Sequence, residues 1–242
     1  MLIETHYPGN LGATARVMRN MGLRDLVLVS PLANPNDQQA RQMSTHGESI
    51  LNDARIVSDL SEAIADCVLV VGTSARSGGL FRKQTVGTPE EIMPYVVETL
   101  QQNQPAAILF GPEPTGLSNE VVTHCQYLIQ IPAADEYPAL NLAQAVAICL
   151  YELRKTSLKG SSSPALPDLA TIEAQEHMFR QLQTALQEIH FLYGDKADSL
   201  MHAVRHLLGK ARLSVMEVQV LLGLARQIRW YVAKHPNSID DK

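Results

Sequence analysis

Three stretches of the chain hold residue types whose spacing suits chemistry. The first is Thr5–Arg16 (THYPGNLGATAR). It follows the tail of a strand, Met1–Thr5, and opens a helix. Pro8, Gly9 and Gly12 permit a tight turn and close backbone approach. Arg16 lies four residues after Gly12, on the first turn or so of that helix, where a guanidinium fork can grip a phosphate. The second stretch is Val71–Lys83 (VGTSARSGGLFRK), a strand ending in small residues and then a basic, glycine-bearing loop with Arg76, Arg82 and Lys83. The third is bipartite. Ile108–Glu120 (ILFGPEPTGLSNE) runs strand, Gly111, a proline-stiffened turn with Glu113, and a helix start near Ser118. Tyr127–Asn141 (YLIQIPAADEYPALN) runs strand, irregular loop, and a helix start near Asn141. An acid held rigidly at a strand end can orient a substrate or handle a proton. A plain strand–helix turn is the alternative for the first stretch. A dinucleotide-binding loop is excluded there. The glycines are spaced Gly-x-x-Gly, and the next strand ends in Ser30-Pro31, without the acid that a ribose requires.

The elements that must position these loops alternate along the chain. Leu26–Ser30, Arg55–Ser58, Val68–Thr73, Ala106–Phe110 and Tyr127–Ile131 are apolar runs without in/out alternation, the pattern of strands buried on both faces of a parallel sheet. Helical periodicities lie between them: Ala13–Met21 ending at Gly22, Asp59–Asp66, and Pro89–Gln102 with an N1 proline and acids in its first turn. This predicts an α/β domain with a parallel sheet. Asn141–Lys155 is apolar around most of its circumference and is expected in the core and in a subunit interface. Gly, Ser and Pro then mark a linker. Asp168–Phe191, Lys196–Arg212 and Ser214–Lys234 read as three helices, the last opened by a Ser214-x-x-Glu217 capping box. The organisation is thus a domain over 1–157, a linker over 158–167 and a small all-helical domain over 168–242.

The whole chain has 242 residues, a net charge of −5 and 19% charged residues, an ordinary globular composition. The net charge argues mildly against nucleic acid, but its distribution does not. Residues 1–158 carry 10 Lys and Arg against 16 Asp and Glu, whereas residues 196–235 carry 7 against 2. A basic tail on an acidic body suggests a docked polyanion; a solvated helix face is the alternative. Cys67, Cys125 and Cys149 are far apart and in no CxxC pair, as expected of reduced thiols in a cytoplasmic protein. No secretion signal or membrane-spanning run is evident, and the eight histidines show no metal-ligand spacing. The abrupt start suggests that a few residues of the first strand are missing.

Taken in order, the loops resemble the SPOUT superfamily, SpoU/TrmH branch. Asn10-Leu11-Gly12-Ala13-Thr14-Ala15-Arg16 matches its first motif, Phe110-Gly111-Pro112-Glu113 with Gly116-Leu117-Ser118-Asn119 its second, and Leu140-Asn141-Leu142-Ala143 with Ala145-Val146 its third. Val71–Arg76 and the helical extension look most like the TrmJ subfamily. The resemblance implies a sheet with a C-terminal trefoil knot, a homodimer, and AdoMet-dependent methylation of a ribose 2′-OH at nucleotide 32 (Cm32/Um32) of the tRNA anticodon loop, without a metal. Carried over, Arg16, Asn10, Glu113 and Asn141 are catalytic. Thr73, Ser74, Ala75, Gly111, Ile131, Ala139, Leu140 and Asn141 hold AdoMet. Arg19, Arg76, Arg82, Lys83, Arg205, Lys210 and Arg212 are the candidate RNA contacts. This chain departs from the family in two places. Pro114 stands where an arginine is usual, and Ala139 where a serine is usual. The departures motivate an alternative, a catalytically weak RNA-binding paralogue. A nucleotide-binding oxidoreductase is disfavoured for want of a dinucleotide fingerprint.

Overall fold

The computed structural model describes residues 1–75, 85–159, 168–209 and 211–235. Arg76, Arg82, Lys83 and Lys210 fall outside them, as does most of the expected linker. The chain divides into two compact units, Met1–Ala165 and Leu166–Lys242.

The first unit is built on parallel strands: β1 (Leu2–Ile3), β2 (Val27–Val29), β3 (Arg55–Val57), β4 (Leu69–Thr73), β5 (Thr85–Gly87), β6 (Ala106–Leu109) and β7 (Tyr127–Ile129). Two ladders, β1-β2-β3 and β5-β7-β4-β6, meet through a parallel Leu2–Phe110 bridge. There the Ile3 N–H donates to the Phe110 carbonyl at 2.9 Å, and the Phe110 N–H to the Met1 carbonyl at 3.0 Å. The spatial order is therefore β5-β7-β4-β6-β1-β2-β3. The parallel sheet matches the sequence expectation, and so do six of its strands, to within two residues at each end. The edge strand β3 is the exception to two-sided burial, since Arg55 and Ile56 are exposed. β5 has no counterpart in the pattern read from the sequence. At three residues it is too short to show a period.

The connecting helices are α1 (Pro8–Met21), α2 (Gln38–Ser44), α3 (Glu48–Asn52), α4 (Leu60–Ile64), α5 (Pro89–Gln101), α6 (Asn119–Thr123) and α7 (Leu142–Lys159). α1 begins at Pro8, five residues before the expected start at Ala13. Proline at N1 has its φ preset and no N–H to satisfy, so the helix starts there and takes Gly9 and Gly12 inside it. Gly12 does not make a turn. A Cβ on it would stand 2.1 Å from the Ala40 carbonyl oxygen, so its bare Cα is what lets α2 cross α1 closely. On α7, Leu142, Val146, Cys149, Leu150 and Leu153 form the buried stripe, which packs against α1 and α5. Tyr151 and Leu158 remain exposed, so part of the apolar surface of α7 is left uncovered within the unit.

The second unit comprises α8 (Ile172–Glu188), α9 (Ala197–Gly209) and α10 (Val215–Lys234). Its core gathers Met178, Phe179, Leu182, Met201, Leu213, Val218 and Ala225. Ser214 and Glu217 form the expected capping box at the start of α10. A single antiparallel bridge, Leu169–Ser214, ties the beginning of the unit to that cap.

Candidate active site

In an open parallel sheet, ligands bind outside the carboxyl ends of the strands, where successive connections diverge. Here the chain leaves β1 towards β2 on one side and leaves β6 towards β7 on the other. The loops after β1 and β6 thus open a crevice between them. His6 comes from the first, Asn10 from the opening turn of α1 that follows it, and Glu113 from the second. The loop after β7 brings in Asn141.

These residues form a continuous hydrogen-bonded row. The Asn10 amide nitrogen donates to Glu113 Oε1 at 2.7 Å, and the His6 backbone N–H donates to Glu113 Oε2 at 3.0 Å. The Asn141 amide nitrogen donates to Asn10 Oδ1 at 3.0 Å, and the Ala143 N–H donates to Asn141 Oδ1 at 2.9 Å. The last contact caps the start of α7, and it sets the direction of the row. Because Asn141 Oδ1 accepts from a backbone donor, its nitrogen must face Asn10. Asn10 then has to turn its own nitrogen to the Glu113 carboxylate. Each amide nitrogen keeps a second N–H, and Glu113 keeps lone pairs.

Beside the row lies a cleft of about 180 Å³. Its apolar lining includes Phe110, Leu117, Ile129 and Leu142, and residues 73–75, 111–116 and 138–140 also line it. Thr73, Ser74, Ala75, Gly111, Ile131, Ala139 and Leu140 all line it, and so does Pro114. Two contacts hold its shape. The Thr73 hydroxyl donates to the Leu109 carbonyl at 3.0 Å, fastening the end of β4 to β6. A Cβ on Gly111 would lie 2.3 Å from Leu117 N and 2.4 Å from the Gly116 carbonyl carbon, so the loop closes on itself only over glycine.

Arg16 is not in the row. It is exposed on α1, six residues beyond Asn10 and therefore about 9 Å further along the helix axis. The early start of α1 moves it off the first turn where the sequence reading had put it. Its guanidinium makes no hydrogen bond or ion pair among the described residues. Arg19 is exposed in the last turn of α1 and lines a separate cleft with Arg24, Asp25, Asp53 and Arg55, at the opposite end of the strands. Arg205 lies in the second unit. It is bidentate to Glu176 at 2.7 and 2.8 Å and sits 4.6 Å from the Phe179 ring centre. Arg212 stands between α9 and α10 with a left-handed backbone, φ 46°. Sequence reasoning missed His6. Its contribution is a backbone N–H, which no residue type announces.

Residues 1–151 match the SpoU rRNA methylase family, and residues 173–238 match the C-terminal domain of tRNA methyltransferase TrmJ. The chain belongs to the SpoU methylase family. It is 37% identical to the tRNA (cytidine/uridine-2′-O-)-methyltransferase TrmJ of Sodalis glossinidius, over 94% of this chain and 89% of that protein. Its structure is similar to the crystal structure of TrmJ from Z. mobilis ZM4, with a TM-score of 0.79 and 29% identity over 94% of this chain and 97% of that one. It is also similar to the AdoMet-bound rRNA methyltransferase from Sinorhizobium meliloti, with a TM-score of 0.50 and 26% identity over 64% of this chain and 54% of that one. Membership in the SpoU methylase family makes the chain a methyltransferase. Among the described residues, no group of three or more His, Cys, Asp or Glu side chains could hold a metal ion.

The cleft suits the cofactor of the AdoMet-bound relative. Apolar walls suit a flat base, and among the described residues Glu113 is the one acid lining the cleft. The cysteines stand apart from this chemistry. All three are free and buried, and burial pushes the Cys67 thiol up to about 11 and those of Cys125 and Cys149 up to about 12.

Proposed function

We propose that the chain is an AdoMet-dependent tRNA ribose 2′-O-methyltransferase acting at nucleotide 32 of the anticodon loop. The observation that carries this reading is the Glu113–Asn10–Asn141 row beside a cleft lined by seven of the expected cofactor residues. When bound, AdoMet supplies an electrophilic methyl group. The residues of the chain must then hold one ribose hydroxyl in line with it, and such positioning supplies much of the rate. The spare N–H groups of Asn10 and Asn141 orient the hydroxyl oxygen, and Glu113 fixes Asn10. Arg16, exposed under two turns beyond Asn10, grips the phosphate adjoining that ribose. A guanidinium stays charged, so Arg16 positions and does not take the proton.

The reading extends to architecture. Residues 1–157 carry the chemistry and residues 168–242 dock the tRNA. β7 lies between β4 and β5, which suits a C-terminal trefoil knot. Exposed Tyr151 and Leu158 on α7 suit a homodimer. No helix among the described residues is long and apolar enough to cross a membrane, and the enzyme works in the cytoplasm, where tRNA is.

The test is methyl transfer from tritiated AdoMet to tRNA lacking the modification, with the product mapped by nucleotide. Methyl at the ribose of nucleotide 32, lost in Arg16→Ala while AdoMet still binds, is the expected result. Pro114 and Ala139, both in the cleft wall, favour the second reading. Tight tRNA binding with no transfer by the unaltered chain would establish the RNA-binding paralogue instead.

A further inference from the structure

Two exposed aromatic residues flank the row in the chain, one next to His6 and one four residues before Asn141. Tyr7 is 57% exposed and Tyr137 is 79% exposed. Tyr7 belongs to the Glu113 end. The N–H of its neighbour His6 binds Glu113, and its own carbonyl accepts the Asn10 N–H at 3.0 Å. Tyr137 belongs to the Asn141 end. Its N–H donates to the Ala134 carbonyl at 3.0 Å and closes a turn. Pro138 follows it and restricts its backbone, so the ring stands on a stiffened support. The next residues, Pro138, Ala139 and Leu140, line the cleft.

Large exposed aromatic side chains serve no purpose in the core, and the chemistry around Tyr137 narrows what it can meet. Its neighbours Asp135 and Glu136 are both exposed acids, which repel a phosphate backbone. The loop therefore offers a ring face while rejecting charge. A nucleotide whose ribose lies on the row must send its base to one side of it. Single-stranded RNA is recognised largely by stacking unpaired bases on aromatic side chains.

We propose that Tyr137 is a stacking platform for the base of the reacting nucleotide, and that Tyr7 does the same for an adjacent base at the Glu113 end. The site then grips a single-stranded RNA segment by its bases and leaves the ribose between them on the amide row. This inference rests on the methyltransferase reading and names the substrate contact of that same site.

The test uses the full chain and anticodon-loop RNA carrying 2-aminopurine at the target nucleotide or at its neighbour. Binding to the unaltered protein is expected to change the fluorescence of both probes. Tyr137→Ala should abolish the change at the target position and raise KM for tRNA about tenfold, with AdoMet affinity unaltered. Tyr137→Phe should behave as the parent, and Tyr137→Leu as the alanine variant, because the ring face and not the hydroxyl or the bulk is at work. Tyr7→Ala should affect the neighbouring probe. Equal fluorescence changes in Tyr137→Ala and the parent, or a leucine variant as good as phenylalanine, overturn the proposal. A ring-dependent fluorescence change without methyl transfer would support the platform and remove the catalytic reading. Methyl transfer indifferent to both tyrosines would do the reverse.

Discussion

In the α/β unit, the polar side chains that define the site come from positions far apart in the chain: Asn10 and Glu113 are 103 residues apart, and Asn141 and Asn10 are 131. In the helical unit, the charged side chains that sequence composition singles out are engaged close to home. Arg205 is clasped by Glu176, 29 residues away, and Arg229 by Glu188, 41 away. The first unit spends its turns on bringing uncharged amides and one acid to a strand end, with hydrogen-bonding capacity left over. The second uses two of its cations to join helices. Counting positive charge thus overstates the surface offered to a polyanion, while the ordered motifs fall on the amide row, whose side chains carry a single charge, that of Glu113. A residue's worth to a ligand depends on the capacity it retains after folding.

The contrast is tested most severely at Asn10, the middle of the row. Asn10→Ala removes the partner of both Glu113 and Asn141, yet it empties no core position, since Asn10 is only half-buried. Methyl transfer to tRNA should fall about 100-fold or more, the loss seen when one preorganised donor is removed from an active site. AdoMet affinity by calorimetry and helix content by circular dichroism should hardly change. A variant with full kcat would mean that the row is structural and that the two units do not differ as argued.

Gly111→Ala should act on the other half of the site. The added Cβ meets the backbone of Gly116 and Leu117, which cannot swing away as the end of a side chain can. The loop must open, at a cost of about 1–3 kcal/mol for overpacking. Loss of AdoMet binding in calorimetry, with only a modest fall in melting temperature, is the expected pair of results. Unchanged AdoMet affinity would show that the cleft does not need this closure.

Much of this was legible in the sequence, and the exceptions have physical causes. The strands were readable because both-sided burial makes apolar runs, and the α10 cap because Ser214 and Glu217 have the spacing that the capping box requires. Seven of the eight residues that the family resemblance implied as cofactor contacts line the cleft, and three ordered motifs carried that resemblance. Gly12 was read as allowing a tight turn and close backbone approach, and only the approach is realised, at a helix crossing, because the composition of a loop does not say which a glycine serves. Reading a turn there also set the start of α1 five residues too late and so put Arg16 in its first turn. The pairing of Arg205 with Glu176 was out of reach for a different reason. Two helices must dock before residues on each can meet, and no local pattern encodes that docking.

Arg205→Ala sharpens the comparison from the helical side. The pair is about four-fifths buried, with each side chain 21% exposed, and both guanidinium–carboxylate bonds are short. Its loss should cost about 1–2 kcal/mol, between the value of an exposed pair and that of a fully buried one. In the full chain this reads out as faster hydrogen exchange along α8 and α9, with kcat unchanged at saturating tRNA. If exchange is unaltered and tRNA affinity falls, Arg205 is a ligand contact after all and the contrast between the units weakens.

The smallest effect concerns acid. Hydrogen bonds from the Ser214 N–H and hydroxyl hold the Glu217 carboxyl below its ordinary value of 4.5. A group whose pKa is lowered on folding stabilises the folded state above its unfolded pKa, and that contribution is lost as pH falls through the lowered value. The start of α10 should therefore loosen as pH falls below the ordinary carboxylate value and through the lowered one. Glu217→Gln keeps an oxygen able to accept from Ser214 but cannot titrate there. Its α10 protection should be slightly lower at neutral pH, where the charge no longer assists the helix N-terminus, and flat through the acid range. Hydrogen exchange of residues 215–218 across that range distinguishes the two chains. Parallel loss of protection in both would mean that something other than this cap opens the helical unit in acid.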